Sequence, residues 1–403
     1  MKKRPLCLFL SVCLLMTLLG GCGLSDSVLR LYEKTDALRG PDVRETAVLE
    51  TRSPLYTDAE PPMLWGREQL SEKEQAVYDR MVAAVAAYRE TPLEVDANAE
   101  ELQVIMTAIR MDHPELFWFD GQASFVTSTL AGVPIRTECS FTYSLDRAEI
   151  QQAHQKIRQY TAACLSALEL SGAASDYDRI LGVYRYIIEH TDYSATEADQ
   201  GILSVMDRHQ ATCAGYARSF QYLMGQLGIP CTLAMGLDES GESHGWNVVL
   251  CDGEWYQMDV TWGDPVGADG RPGNEIQYTY CLITDQEMYR DHTFTGEIPI
   301  PACTATACNY FVREGLAFSS WSPDAYEYAM ARALERGASW FSVRYSDPAA
   351  FEAARHALFE EEAIWEMLRR TGAADGSATH VIYTCKELQR EISVKLEFGE
   401  SET

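Results

Sequence analysis

The chain has 403 residues, 46% of them hydrophobic, and a formal net charge of −27 at pH 7. This length and apolar fraction allow two or three domains with sizeable cores. The negative charge argues against nucleic acid as a partner and against electrostatic docking on anionic lipids. Because no Cys and His spacing resembles a structural zinc site, we expect neither a metal nor another cofactor.

Residues 1–22 are predicted to be a targeting segment. Three basic residues precede the apolar run CLFLSVCLLMTLL, which is too short to favour a membrane span. The tetrapeptide LGGC, ending at Cys22, resembles the lipobox of bacterial lipoproteins, in which the cysteine is lipidated and becomes the mature N-terminus. An ordinary cleaved signal peptide or an uncleaved anchor is the alternative. Each alternative predicts that the remaining chain lies outside the cytoplasm, and the lipobox predicts a lipid anchor at the cell membrane.

Residues 23–66 contain scattered prolines and charges with weak periodicity, which predicts a linker. Beyond them, capping boxes predict helices that begin after Ser71, Asn98 and Asp146 and end near residues 89, 111 and 170. Residues 135–144 alternate between apolar and polar side chains, which is typical of a half-buried strand. We therefore predict an accessory α+β domain over residues 67–172.

The aromatic run Phe117-Trp118-Phe119 allows two interpretations. Exposed to solvent, it would form a platform for carbohydrate or peptide. Packed inside, it belongs to the core, and we favour the core because large aromatic side chains are mostly buried.

The segment ATCAGYARSFQYLMGQLGIP, residues 211–230, predicts a helix with Cys213 in its first turn. Apolar residues recur at helical spacing, and Gly228 followed by Pro230 predicts the helix end. Unpaired N–H groups and the dipole at a helix N-terminus stabilise a thiolate, so Cys213 is a candidate nucleophile. A buried structural cysteine is the alternative for this position taken alone.

The runs HGWNVVL and EWYQMDVTW predict two strands joined by a tight turn at residues 252–253. Counting outward from that turn, Trp246 faces Asp259 and His244 faces Thr261. His244 and Asp259 then become diagonal neighbours on one face of the hairpin, roughly 7 to 8 Å apart at the backbone.

A carboxylate beside an imidazole holds the tautomer and orientation that a general base needs, and a histidinium beside Cys213 would stabilise its thiolate. The combination of Cys213, His244 and Asp259 favours catalysis over three separate structural roles. If Asp259 is only structural, Asn247 is the next candidate for orienting the histidine.

Three segments resemble the transglutaminase-like superfamily: TCAGYARSFQYLMGQLGIPC, HGWNVV and GEWYQMDVTWGDP. The resemblance covers about residues 175–300 and implies a papain-like α+β core, with the helix that bears the cysteine packed on an antiparallel sheet. It implies that Cys213 is the nucleophile, His244 the base and Asp259 the residue that orients the base. The family often has alanine where this chain has Gly245, which leaves the three residues intact.

A papain-like site needs an oxyanion donor besides the backbone N–H of Cys213. Gln200 lies in a segment that resembles the one preceding the family's cysteine, and it is the candidate donor. A surface loop glutamine is the alternative. Residues 266–275 contain three acidic or amide side chains, but their spacing does not match a calcium-binding EF-hand, and we favour a solvated loop.

The remaining cysteines do not form the pattern of a small disulfide framework. Cys303 and Cys308 are near enough to pair across a short loop, and two independent thiols are the alternative. Residues 303–403 predict a separate small α/β domain of order βαβαββ, with NYFVREG as its first strand and helices over 322–336 and 347–370.

We expect an extracytoplasmic lipoprotein whose central domain, residues 173–302, attacks a peptide or glutaminyl carbonyl through Cys213. Transfer to water would make it a peptidase or amidase, and transfer to an amine a transglutaminase; the sequence does not choose. Expected partners are a protein or peptide substrate, including one of the cell envelope, and the membrane through the lipid anchor. The alternative is a non-catalytic cell-surface binding module on the same fold, supported by the accessory domains at both ends.

Overall fold

A computed structural model describes residues 63–130, 133–196, 200–264, 275–371 and 378–398. The predicted targeting segment, Cys22, nearly all of the predicted linker and most of the loop 266–275 lie outside these ranges. Within the described ranges, no helix has the length and apolar character needed to cross a membrane. Helices and antiparallel-rich sheets occur together, which confirms the α+β class.

The described part of residues 63–172 contains four helices and a three-stranded sheet of order β1-β3-β2. The helices are α1 (Trp65–Glu68), α2 (Glu72–Ala86), α3 (Ala99–Asp112) and α4 (Arg147–Ser171), and the strands are β1 (Leu93–Val95), β2 (Phe119–Leu130) and β3 (Val133–Tyr143). The predicted capping boxes at Ser71, Asn98 and Asp146 are all formed. Each box satisfies two backbone N–H groups at a helix start, which explains why these starts were predictable.

The aromatic run after α3 is part of the core, as predicted. Trp118 is fully buried, and its indole N–H donates to the carbonyl of Val85 at 3.2 Å. Phe117 and Phe119 are partly buried and pack against the same cluster.

The central region consists of a helical layer and a five-stranded sheet of order β10-β6-β7-β8-β9, in which every pairing is antiparallel. Its helices are α5 (Asp176–Glu189), α6 (Leu203–Met206), α7 (Cys213–Gln226) and α8 (Asp285–Met288). Its strands are β4 (Asp192–Tyr193), β5 (Gln210–Ala211), β6 (Cys231–Leu237), β7 (Ser243–Cys251), β8 (Glu254–Met258), β9 (Cys281–Ile283) and β10 (Thr293–Phe294). Strands β4 and β5 pair with each other in a separate two-stranded sheet.

Helix α7 packs between α5 and strands β6 and β7, as the resemblance implies. Tyr216, Phe220 and Leu223 are fully buried on α7, in one core cluster with the apolar stripe of α5. The helix ends where Gly228 adopts a positive φ of 71°, and the N–H of Ile229 donates to the carbonyl of Met224 at 2.9 Å. This is a left-handed helix end that glycine favours.

The hairpin register is the predicted one, because Cys251 pairs with Glu254 and Leu250 with Trp255. The second strand is shorter than predicted, however: β8 ends at Met258, and His244 has no strand partner at Thr261.

Asp259 explains this early end. Its backbone N–H donates to Tyr280 O at 3.0 Å, and its Oδ1 accepts from the N–H of Trp262 at 3.1 Å. The chain then turns into a 3-10 helix, Thr261–Gly263.

The region after residue 309 forms a four-stranded sheet of order β11-β12-β14-β13 with helices around its own core. Its helices are α9 (Tyr310–Arg313), α10 (Pro323–Glu335), α11 (Pro348–Arg355) and α12 (Ala363–Arg370), and its strands are β11 (Ala317–Phe318), β12 (Trp340–Tyr345), β13 (Ala378–Lys386) and β14 (Glu391–Phe398).

Two details of the predicted βαβαββ order are wrong. The segment NYFVREG is helical, because the side chain of Asn309 accepts from the N–H of Phe311 at 3.0 Å and begins α9; the first strand follows at Ala317–Phe318. The long predicted helix 347–370 is divided by a π-helical turn, His356–Glu360, and by Glu362 at a positive φ of 56°.

All nine cysteines in the described ranges are free thiols. Cys303 and Cys308 do not pair with each other. The Sγ of Cys303 lies 3.6 Å from Pro301 O, and that of Cys308 lies 3.5 Å from Oδ2 of Asp252. The structure therefore agrees with the alternative of two independent thiols.

Candidate active site

Cys213 is the first residue of α7 and is half-buried. Thr212, the N-cap residue, has an extended backbone and makes no side-chain cap bond. The N–H groups of this helix end are therefore not taken up by a side chain, and the helix dipole favours negative charge there. The backbone N–H of Gly245 on β7 and the imidazole of His244 both favour the thiolate form of Cys213.

His244 and Asp259 are brought into contact by the hairpin. Nε2 of His244 lies 2.8 Å from Oδ2 of Asp259, and both side chains are buried, Asp259 completely. Because Nε2 donates to the carboxylate, Nδ1 is left for the thiol of Cys213. In space, the imidazole of His244 thus lies between the thiol of Cys213 and the carboxylate of Asp259.

The electrostatics of these groups favour an ion pair. Burial alone would lower the pKa of His244, but the charge and hydrogen bond of Asp259 and the contact with Cys213 raise it. Burial would raise the pKa of Cys213, but the hydrogen bond and charge of His244 and the Gly245 N–H lower it below the ordinary thiol value. The pKa of Asp259 is lowered despite burial, because His244 and His292 both donate to it.

A second histidine, which the sequence interpretation missed, lies behind the carboxylate. Nε2 of His292 is 3.3 Å from Oδ2 of Asp259, and its Nδ1 is 2.6 Å from Oδ1 of Asp291. A neutral imidazole has one N–H, whereas an imidazolium donates from both nitrogens. Burial lowers the pKa of His292, but hydrogen bonds to both carboxylates raise it overall, in keeping with a charged ring.

Asp291 continues this network into the C-terminal region. Its Oδ2 accepts from the hydroxyl of Tyr280 at 2.6 Å and from the amide of Gln389, which lies in the turn between β13 and β14. The dipeptide Asp291-His292 just before β10 was the available sequence signal. Nothing local in the sequence links it to Gln389, 98 positions further on.

Aromatic rings enclose the imidazole and carboxylate. The ring centroid of His244 lies 6.1 Å from that of Trp246 and 5.7 Å from that of Trp262, and Trp262 lies 4.5 Å from His292. These rings limit access of water, and a low local dielectric strengthens the charge interactions inside.

Gln200 lies next to the start of α7. It is exposed, and its Oε1 accepts from the hydroxyl of Thr212 at 3.2 Å. Tyr193, which the sequence interpretation did not single out, pairs with Ala211 across the β4–β5 ladder. Burial and then the charge of Cys213 raise the pKa of Tyr193, so its phenol also lies near the thiol.

By spacing alone, His244, Asp259 and His292 could hold a metal ion, since their ligand atoms lie within 4.8 Å of one another. The same nitrogen and oxygen atoms lie within hydrogen-bond distance of each other, and a ring nitrogen that donates to Asp259 has no lone pair for a metal. The possible ligand atoms of Cys251, Asp252 and Cys308 also lie within 4.8 Å of one another.

The sequence profile described as the transglutaminase-like superfamily matches residues 166–260. The kyphoscoliosis peptidases of Mus musculus and Homo sapiens are each 32% identical over 111 residues, which is 23% of this chain and 17% of either relative. The chain thus spans about a sixth of the length of these relatives.

Two solved structures are similar to part of the chain. The crystal structure of a TGase has 15% sequence identity and a TM-score of 0.25, over 42% of this chain and 51% of that structure. The periplasmic domain of TgpA from Pseudomonas aeruginosa has 14% identity and a TM-score of 0.20, over 32% of this chain and 55% of that one.

Fold and site together define an α+β core built around one thiol, one imidazole and one carboxylate. The profile match covers the segment that contains Cys213, His244 and Asp259, so this part of the chain is similar to the transglutaminase-like superfamily.

Proposed function

We propose that this protein is a thiol-dependent acyl transferase that acts on a peptide or glutaminyl carbonyl. The observation that carries the proposal is the arrangement of Cys213 at the start of α7 beside His244, whose Nε2 lies 2.8 Å from Oδ2 of Asp259. The electrostatics of the described thiols agree with it. The pKa of Cys213 is lowered by a buried imidazole held by a carboxylate, whereas burial raises the pKa of seven others. These are Cys139, Cys164, Cys231, Cys251, Cys281, Cys303 and Cys385.

In the first step, the Cys213 thiolate attacks the carbonyl carbon, and the carbonyl electrons move to its oxygen. The N–H of Cys213 and the proposed donor Gln200 stabilise that oxyanion. As the tetrahedral intermediate collapses, the C–N bond breaks and His244 gives its proton to the departing amine. The product of this step is a thioester on Cys213.

In the second step, His244 takes a proton from the incoming nucleophile, which attacks the thioester carbon. The C–S bond then breaks, and Cys213 leaves as the thiolate beside the His244 imidazolium. Water gives a carboxylic acid, and a primary amine gives a new amide. Asp259 holds the imidazole in the same tautomer through both steps, as carboxylates do in related triads.

Incubation with a peptide pool and a labelled primary amine separates the two outcomes. Label in the product supports crosslinking, and new peptide termini support hydrolysis; the curated relatives carry the name peptidase. The Cys213→Ala variant is the control. If folded protein forms neither product, the proposal is overturned and the binding module is favoured.

We further propose that the protein is lipid-anchored at Cys22 and faces outside the cytoplasm. The sequence LGGC after a basic and apolar leader supports this location. A labelled fatty acid should be incorporated into the full chain and not into the Cys22→Ala variant. Equal labelling of both would contradict the anchor.

A further inference from the structure

A cavity of about 520 Å³ lies beside the helix that bears Cys213, where α3 approaches α7. Its lining includes three arginines: Arg110 from the end of α3, Arg218 from α7, and Arg208. Of these, Arg110 and Arg218 lie beside each other, and Phe117 and Gln200 also line the cavity. A smaller cavity of about 130 Å³ shares the same two arginines and adds Met235.

The two guanidinium groups have no counter-charge among the described residues. Nη1 of Arg218 donates to the backbone carbonyl of Arg110 at 3.3 Å, and no described carboxylate lies within the 4.0 Å of an ion pair from either side chain. Glu297, which lines the smaller cavity, accepts instead from Gln103 and Thr107, at 2.8 and 3.3 Å.

Such a pair is unexpected in this chain, which has 60 acidic residues against 33 Lys and Arg. Burial and the charge of Arg110 lower the pKa of Arg218 to about 10. A charge that is partly removed from water and has a like charge beside it is unfavourable unless a partner arrives. A bound anion would supply that partner.

Both cavities reach neighbours of the thiol. In the larger one, Gln200 accepts from Thr212, the residue before Cys213. In the smaller one, the sulfur of Met235 lies 3.3 Å from where a Cβ on Gly245 would be, and the backbone N–H of Gly245 favours the Cys213 thiolate. The arginine pair is thus situated where part of a bound acyl substrate would extend.

We propose that Arg110 and Arg218 bind a carboxylate on the substrate of Cys213. The guanidinium fork matches a carboxylate in bidentate geometry, and the apolar lining that includes Phe117 suits an aromatic or aliphatic peptide side chain next to it. The substrate class is therefore an anionic peptide with an apolar residue beside its carboxylate. The carboxylate binding can be measured without catalysis, but its assignment to substrate rests on the proposed function.

The test uses the full chain with Cys213→Ala, so that covalent chemistry does not intervene. The probes are N-acetylated peptides in matched pairs, each ending in Phe as a free acid or as an amide, with a second series containing Glu or Gln beside Phe. Calorimetry should find the acid forms bound at least roughly ten-fold more tightly, the size typical of a charge-assisted hydrogen bond. The series that shows the larger preference distinguishes a terminal from a side-chain carboxylate.

Arg218→Gln and Arg110→Gln should each remove most of this preference. Arg110 is exposed, so its substitution leaves folding intact even if that of half-buried Arg218 does not. The matched control is Arg355→Gln, which removes one surface arginine, paired with Glu352, that does not line either cavity. Equal binding of acid and amide, or no binding of either, overturns the proposal. Alkylation of Cys213 in unsubstituted protein reports separately whether the proposed function fails.

Discussion

The two ends of strand β7 place thiols in opposite environments. At the end near His244, the imidazole and the Gly245 N–H contact Cys213 and lower its pKa. At the other end, Cys251 is fully buried beside Cys308, and burial, the contact with Cys308 and the charge of Asp252 raise its pKa.

The difference teaches that burial by itself makes a thiol unreactive, since desolvation disfavours the thiolate in both places. Reactivity requires a cationic partner that is itself stabilised, and here Asp259 and His292 provide that support behind His244. The substitutions below remove the groups of this network one at a time, from the thiol outward. Loss of the groups behind His244 should make the environment of Cys213 more like that of Cys251.

Replacement of the nucleophile has the largest expected effect. Cys213→Ala should reduce acyl transfer to the uncatalysed background, because no other described thiol has an imidazole partner. Product formation from the peptide pool measures this. The control, Cys385→Ala, removes a half-buried thiol in β13 and should retain activity. Activity that survives Cys213→Ala would place the chemistry elsewhere.

Asp259→Asn should come next. The isostere fits the same space, but it permits the wrong histidine tautomer and weakens the imidazolium. Because papain-like sites work with asparagine, we expect turnover to fall by roughly 10 to 10³-fold, less than in a serine triad. Thermal unfolding and turnover of the same variant distinguish a catalytic role of Asp259 from a structural one.

If Asp259→Asn unfolds as readily as it loses activity, Asp259 is a structural carboxylate. The alternative orienting residue, Asn247, already donates to the carbonyl of Ala217 at 3.0 Å, so it fastens β7 to α7. It is therefore poorly placed to replace Asp259.

His292→Ala should cost roughly ten-fold in kcat, as removal of an outer residue behind a reactive group often does. KM should stay unchanged, since His292 is buried behind Asp259 and does not reach substrate. His292→Gln retains a donor toward Asp259 and should recover part of kcat. A rise in KM, or no difference between the Ala and Gln variants, would contradict a positioning role.

Gln389→Ala should have the smallest effect, a two- to three-fold fall in kcat. It removes the bonds that one neutral amide donates to Tyr280 and Asp291, and His292 still separates Asp291 from Asp259. The matched control is Gln286→Ala, on the exposed face of α8. A loss as large as that of His292→Ala would mean that the C-terminal region controls the site more strongly than this network explains.

Local signals explain what could be predicted from the sequence. The capping box of Ser71 with Glu74 and the turn at Asp252 involve residues within four positions of each other, so the helix start and hairpin register were readable. The contact of His244 with Asp259 followed from that register, and it survived although β8 ends early.

Contacts between distant segments explain what could not be predicted. Asp259 ends β8 by binding Tyr280, and His292 reaches Asp259 from 33 positions away. The aromatic segment NYFVREG fits a strand as well as a helix until Asn309 caps it. The pairing of Arg110 with Arg218 depends on how α3 packs against α7, which no periodicity encodes.

The most direct test of the central claim is the pH dependence of Cys213 alkylation, followed by mass spectrometry of its peptide, with the Cys385 peptide as internal reference. A lowered thiol pKa and a raised His244 pKa together predict an ion pair between them, so alkylation should already be fast near pH 6, far below the ordinary thiol value of about 8.5. In His244→Ala the partner is lost while burial remains, and the curve should move to pH 8.5 or above. Identical curves for the two proteins, both rising only near pH 8.5, would contradict the account.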